Sequence, residues 1–233
     1  MDASAYALAH GIRSTRGALS GWKDRPWPVA RRWLLGSVLA ASFLLVAIWV
    51  IAGLTPSHGH LNLRRPPFLP GGYRDAVRIF SQNMLVLALH AMACVAGFIA
   101  GGSLPLQAQH SSGIRRAVYR EGRRLTILFV AGATAFSLSL QSYDLGTTVA
   151  RVAGALHSSP GVLLLGLLPH ALPELTALFL PLAAWIIASR RGEWDQLLAA
   201  AIVTVAIAVP MLIFTATWEV YVAPHILRAL FGY

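Results

Sequence analysis

One short stretch concentrates the chain's chemistry. Residues 169–174 read Pro-His-Ala-Leu-Pro-Glu. On a continuous helix His170 and Glu174, four residues apart, share a face. Pro173 has no N–H to donate and crowds the carbonyl of Pro169, which is left as a free acceptor on the same turn. An imidazole, a carboxylate and a loosened carbonyl fit three chemistries. They could ligate a cation, relay a proton, or form a structural hydrogen-bond node. Asn83, His90 and Glu219 also stand in apolar surroundings, and His225 follows a few residues later.

Ionisable groups at membrane depth are costly and default to a functional reading. Each of these also has a plainer one. His90, in Leu-Ala-Leu-His-Ala-Met-Ala, reads first as an interhelical hydrogen-bonder. Asn83 reads as helix-packing glue. Glu219 reads equally as a solvated anchor near the rim, and His225 as an interfacial side chain. A structural brace suits His170 with Glu174 nearly as well as a site. A metal centre built from His170, Glu174 and Glu219 has three protein ligands, the number a catalytic zinc keeps beside one open position. One glutamate would then serve as general base in an intramembrane hydrolase. A divalent metal is the one cofactor the residues suggest. The chain has no HExxH, GxSxG, Walker A or Rossmann pattern, so a complete catalytic motif is missing. Enzyme activity is the less favoured role.

The elements that must position these residues are long and apolar. Hydrophobic residues make up 56% of the 233 and charged residues 12%, about half the usual ~25% of soluble domains. That excludes disorder and argues against a soluble enzyme. Crossing a bilayer takes about 20 apolar residues. Five segments meet this: 33–54, 77–104, 125–143, 161–189 and 197–222. The first follows a long basic tail and is too long for a signal peptide's apolar core. The fourth holds Pro169, Pro173 and Pro181. It is expected to be Pro-broken, either one kinked helix or a re-entrant segment plus a helix. The expected fold is therefore all-α, a polytopic transmembrane bundle of about five spans. Residues 1–32 form a basic cytoplasmic tail, disordered or a short surface helix, and 33–233 the transmembrane domain. The single cysteine, Cys94, can form no internal disulfide and reads as a buried small residue.

The net charge is +10. With the N-terminus inside, six basic residues fall in the tail, five between spans two and three, and two between spans four and five. Six fall outside. This bias places the N-terminus in the cytoplasm. It also accounts for the charge without nucleic acid, which is excluded as a partner. Membrane lipid is the expected surrounding of the basic face. The Pro- and Gly-rich loop 58–74 lies outside and reads as an ordered cap or a flexible link. At 1.5 Å per residue, Asn83, His170 and Glu219 lie about 9, 13 and 5 Å from the outer ends of their spans. With Glu174 they converge in the outer half of the bundle. Ala96, Gly97, Ala100, Gly101, Gly102 and Ser103 read as a stripe for close helix packing.

Three motifs resemble a known family. Phe80-Ser81-Gln82-Asn83 opens an early span. Pro169 to Leu175 reads Pro-His-Ala-Leu-Pro-Glu-Leu, and Trp218 to Pro224 reads Trp-Glu-Val-Tyr-Val-Ala-Pro. Together they resemble the stage II sporulation protein M family of small polytopic bacterial membrane proteins, over about residues 74–230. Ala171 stands where that family usually has Gly, and Gln107 to Gly113 replaces its usual Asn-Gly pair. The resemblance implies a multi-pass protein of the bacterial cytoplasmic membrane. Its role would be a non-enzymatic scaffold or component of a peptidoglycan-remodelling complex, with other membrane or envelope proteins as partners and a homodimer as a further option. A transporter or permease subunit is the alternative, because broken helices with buried acids build transport sites.

Overall fold

The computed structural model describes residues 3–24, 26–56, 71–103 and 113–232. Among them it contains seven α-helices and no strand. They are α1 (Ala3–Lys23), α2 (Pro26–Leu54), α3 (Tyr73–Phe98), α4 (Ile114–Ala155), α5 (Pro160–Arg191), α6 (Leu197–Tyr221) and α7 (Ala223–Phe231). A π-helical turn, Ile99–Ser103, ends α3, and a 3-10 turn, Trp194–Gln196, leads into α6. The basic tail is therefore largely helical. The loop 58–74 falls outside the described residues except for its last four, as does 107–113 except for Gly113.

Among the described residues four helices are long and apolar enough to cross a membrane: Pro26–Leu54, Tyr73–Gly101, Pro160–Arg191 and Trp194–Tyr221. The protein is thus an all-α integral membrane protein by length and composition. The expected third span, 125–143, lies within α4, a helix of 42 residues that is not among these four.

Of the two alternatives for the fourth span, a single helix is found: helical conformation persists through Pro169, Pro173 and Pro181, so α5 is not a re-entrant segment plus a helix. Each proline removes one backbone donor but leaves the rest of the ladder intact. Pro160 starts the helix, where its missing N–H costs nothing, and Ser159 Oγ accepts the Val162 N–H at 3.3 Å. At the other end Gly192 takes a left-handed φ of 71°. The Glu193 N–H then donates to Ala188 O at 3.0 Å, closing a Schellman turn. The same device ends α4: the Ser158 N–H donates to Ala153 O at 2.9 Å around His157, whose φ is 50°.

Two compact units share these helices. The first comprises residues 1–37, 86–134 and 178–208; the second comprises 38–85, 135–177 and 209–233. In the first, α3 and α5 are joined by side-chain-to-carbonyl bonds. His90 Nδ1 donates to Leu178 O at 2.9 Å, and its ring packs on Phe179 with centroids 5.4 Å apart. The interhelical reading of His90 is what is found. The Cys94 thiol donates to Pro181 O at 3.2 Å and is fully buried. A water-soluble maleimide should leave Cys94 unlabelled in the folded protein and label it to completion after denaturation, counted by intact mass. Rapid labelling before denaturation would contradict this packing.

The small-residue stripe of α3 does what close packing requires. A Cβ on Gly97 would lie 2.7 Å from Leu197 and 2.8 Å from Trp185 Nε1. The Trp194 indole occupies the place a Cβ on Gly101 would take. In the second unit Gly146 lets α4 meet Ile51 of α2, and Gly166 lets α5 meet Leu227 and Leu230 of α7. The Gly71 N–H donates to Val220 O at 3.2 Å, tying the start of α3 to the end of α6. Buried hydroxyls satisfy themselves along their own helices, as Ser37 does on Trp33 O and Thr204 on Ala200 O, both at 2.7 Å. That is the economical solution where water is absent.

Candidate functional site

The second unit gathers the polar residues of α3, α5 and α6. Glu174 is at its centre. Asn83 from α3 and Thr215 from α6 turn their side chains to its carboxylate, and the Glu219 carboxylate of α6 is close enough to act on it electrostatically. Three helices therefore converge on one carboxyl group. Asn83 Nδ2 and Glu174 Oε2 are both buried, and neither completes a hydrogen bond of good geometry. Thr215 Oγ1 also reaches back to Leu212 O at 3.3 Å. The node is compact but incompletely satisfied, and buried polar atoms left this way are costly.

The helices explain the placement. α5, which carries Glu174, is the most enclosed of the four apolar helices. Thr215 and Glu219 are four residues apart on α6 and share a face. The Gly71–Val220 bond fixes where α3 starts along α6, and so sets the level at which Asn83 enters.

Of the sequence-predicted residues, Asn83 and Glu219 act on the Glu174 carboxyl group. The structure adds Thr215, which the sequence reading missed; its i,i+4 spacing from Glu219 was the available signal. His170 is 5% exposed, and its Nδ1 has no hydrogen-bond partner. It lies one turn before Glu174 on α5 and is not among the groups acting on that carboxylate. Pro169 and Pro173 lie within the unbroken α5 rather than at a helix break. His225 is exposed on α7.

Among the described residues no three His, Cys, Asp or Glu side chains gather closely enough to hold one ion, so His170, Glu174 and Glu219 do not form such a set. Glu219 acts on Glu174 electrostatically, while His170, one turn away, is not among the groups that act on that carboxylate. What the arrangement offers instead is a pair of carboxyl groups beside an amide and a hydroxyl, within apolar helices. Such a group can lock helix register or accept a positive guest.

Compared with known proteins, the chain matches no family model, no curated protein and no solved structure.

Proposed function

We propose that this protein is a non-enzymatic membrane subunit of a bacterial cell-envelope assembly, in which the Asn83–Glu174–Thr215–Glu219 node holds α3, α5 and α6 in register. The observation that carries the reading is the convergence of three apolar helices on one carboxylate. A buried polar node that fixes a unique packing is a known use of such groups. The resemblance of the Phe80–Asn83, Pro169–Leu175 and Trp218–Pro224 motifs to the stage II sporulation protein M family supports the envelope role. The basic-residue bias supports five spans in the cytoplasmic membrane with the N-terminus inside. Membrane and envelope proteins, or a second copy of the chain, are the proposed partners.

Crosslinking in native membranes followed by affinity purification tests this. Envelope proteins should be recovered in fixed proportion with the wild type and be lost with Glu174→Ala. Recovery of the chain alone, with no crosslinked partner, would overturn it.

The carboxyl pair favours one second reading, a subunit of a transporter. Close carboxylates in a low-dielectric setting attract a proton or cation between them. In proteoliposomes, an imposed proton or sodium gradient should then drive flux that Glu219→Gln abolishes. Gradient-independent leakage equal to that of empty vesicles would exclude it.

A further inference from the structure

The first unit contains a cavity of about 220 Å³. A single water needs only about 10–15 Å³ on this kind of measure, so the space suits a guest of several heavy atoms. It is lined by Trp22 at the end of α1, Arg32 and Trp33 near the start of α2, Arg191 and Glu193 at the end of α5, and Gln196 of the 3-10 turn. The two indoles meet edge to face at 5.2 Å. Among the described residues neither guanidinium forms an ion pair, with Glu193 or any other carboxylate. The wall is not improvised. The Schellman turn at Gly192 fixes Arg191 and Glu193 on either side of a single residue.

Position identifies the kind of guest. Arg32 immediately precedes the uncharged run 33–54, and Arg191 closes the apolar run of α5. Arginine and tryptophan at span ends sit at headgroup depth. Leu35, one turn after Arg32 on the same helix, is 57% exposed, which leaves apolar surface beside the cavity for an acyl chain. Two unpaired guanidiniums match a phosphate, which arginine binds through two parallel N–H donors. A carboxylate in the same wall would repel a bare phosphate. It accepts a hydrogen bond if the guest carries a donor beyond its phosphate.

We propose that this cavity holds the headgroup of a glycerophospholipid, its phosphate between Arg32 and Arg191 and its own donor on Glu193. That donor is the ammonium of ethanolamine or a hydroxyl of glycerol. Phosphatidic acid carries no donor beyond its phosphate and is disfavoured by Glu193. The site is separate from the Glu174 node and does not depend on its role.

Native mass spectrometry of the delipidated full chain tests the assignment. Phosphatidylethanolamine, phosphatidylglycerol and phosphatidic acid of matched acyl chains are supplied in equal amounts. The first two should be retained about tenfold more than the third, equivalent to a tenfold affinity difference. Arg32→Gln with Arg191→Gln should remove that retention, while Arg190→Gln, one residue outside the cavity, should leave it unchanged. If the double variant fails to fold, Glu193→Gln decides alone: phosphatidic acid should rise to the level of the other two. Equal retention of all three lipids by the wild type would overturn the proposal. So would a preference untouched by Glu193→Gln, or displacement of lipid by millimolar inorganic phosphate, which would mark a free-phosphate site.

Discussion

Replacing Gly101 with valine should cost the protein on the order of 3 kcal/mol, the upper end of what overpacking a tight interface costs. The cause is local and steric. The Trp194 indole lies where the first side-chain carbon would have to go. The far end of a flexible side chain can swing aside, but a rigid two-ring system beside a π-helical turn cannot do so without moving the 3-10 turn that carries it. Gly97 faces a similar constraint from Trp185 and Leu197, so adjustment at one position is resisted at the other. Gly132 of α4 has open space around it, and Gly132→Ala should be neutral or slightly stabilising, since alanine is the better helix former. Thermal unfolding in detergent, followed by loss of monodispersity, separates the two. Equal midpoints for Gly101→Val and the wild type would mean that α3 and the 3-10 turn do not pack as described.

Glu174→Ala should cost about 1–3 kcal/mol, because it empties the centre of the node and removes the carboxylate that two buried polar groups face. Both the Asn83 amide and the Thr215 hydroxyl face this carboxylate, and alanine offers them nothing in return. Glu174→Gln keeps the size and one carbonyl oxygen, so it should retain most of the wild-type stability. It should retain little of any cation-dependent flux. The pair of variants thus divides the structural role from an ionic one. An Asn83→Ala, Glu174→Ala double-mutant cycle should show a coupling of about 0.5–3 kcal/mol. An additive cycle, with each single change costing the same alone or together, would show that the amide and the carboxylate do not interact.

The two experiments address different links. Gly101 concerns the packing of α3 on the 3-10 turn within one compact unit. Glu174 concerns polar satisfaction within the other. Neither relies on the proposed envelope role, so a failure of that role leaves both predictions standing.

Much of the fold was legible from residue type alone. A run such as 33–54, without a single charge, must be helical if it enters lipid, because nothing else satisfies its backbone there. Start and stop signals were legible too. Pro160 begins α5 and Gly192 ends it, each for a stated backbone reason. The prolines of α5 left a single helix and a re-entrant segment equally open. A missing hydrogen bond is a local property, whereas persistence of the helix depends on what encloses it, and α5 is the most enclosed span.

The candidate site was only half legible. Depth along each span placed Asn83, Glu174 and Glu219 at compatible levels, because rise per residue is fixed by the helix. Which side of each helix meets which neighbour is set by packing, and no spacing rule contains it. That is why His170, sharing a face with Glu174 by spacing, is not among the groups acting on its carboxylate, while Thr215, unremarkable in an apolar run, is. Arg32 and Arg191 make the same point. By sequence they are two charges that report membrane orientation. Only the meeting of α1, α2, α5 and the 3-10 turn brings them into the lining of one cavity. Composition and periodicity determined that this chain is a helical membrane protein, because burial of apolar surface and backbone satisfaction act on every residue. Tertiary structure alone decided which polar groups meet, because that depends on helix rotation and close approach at a few glycines.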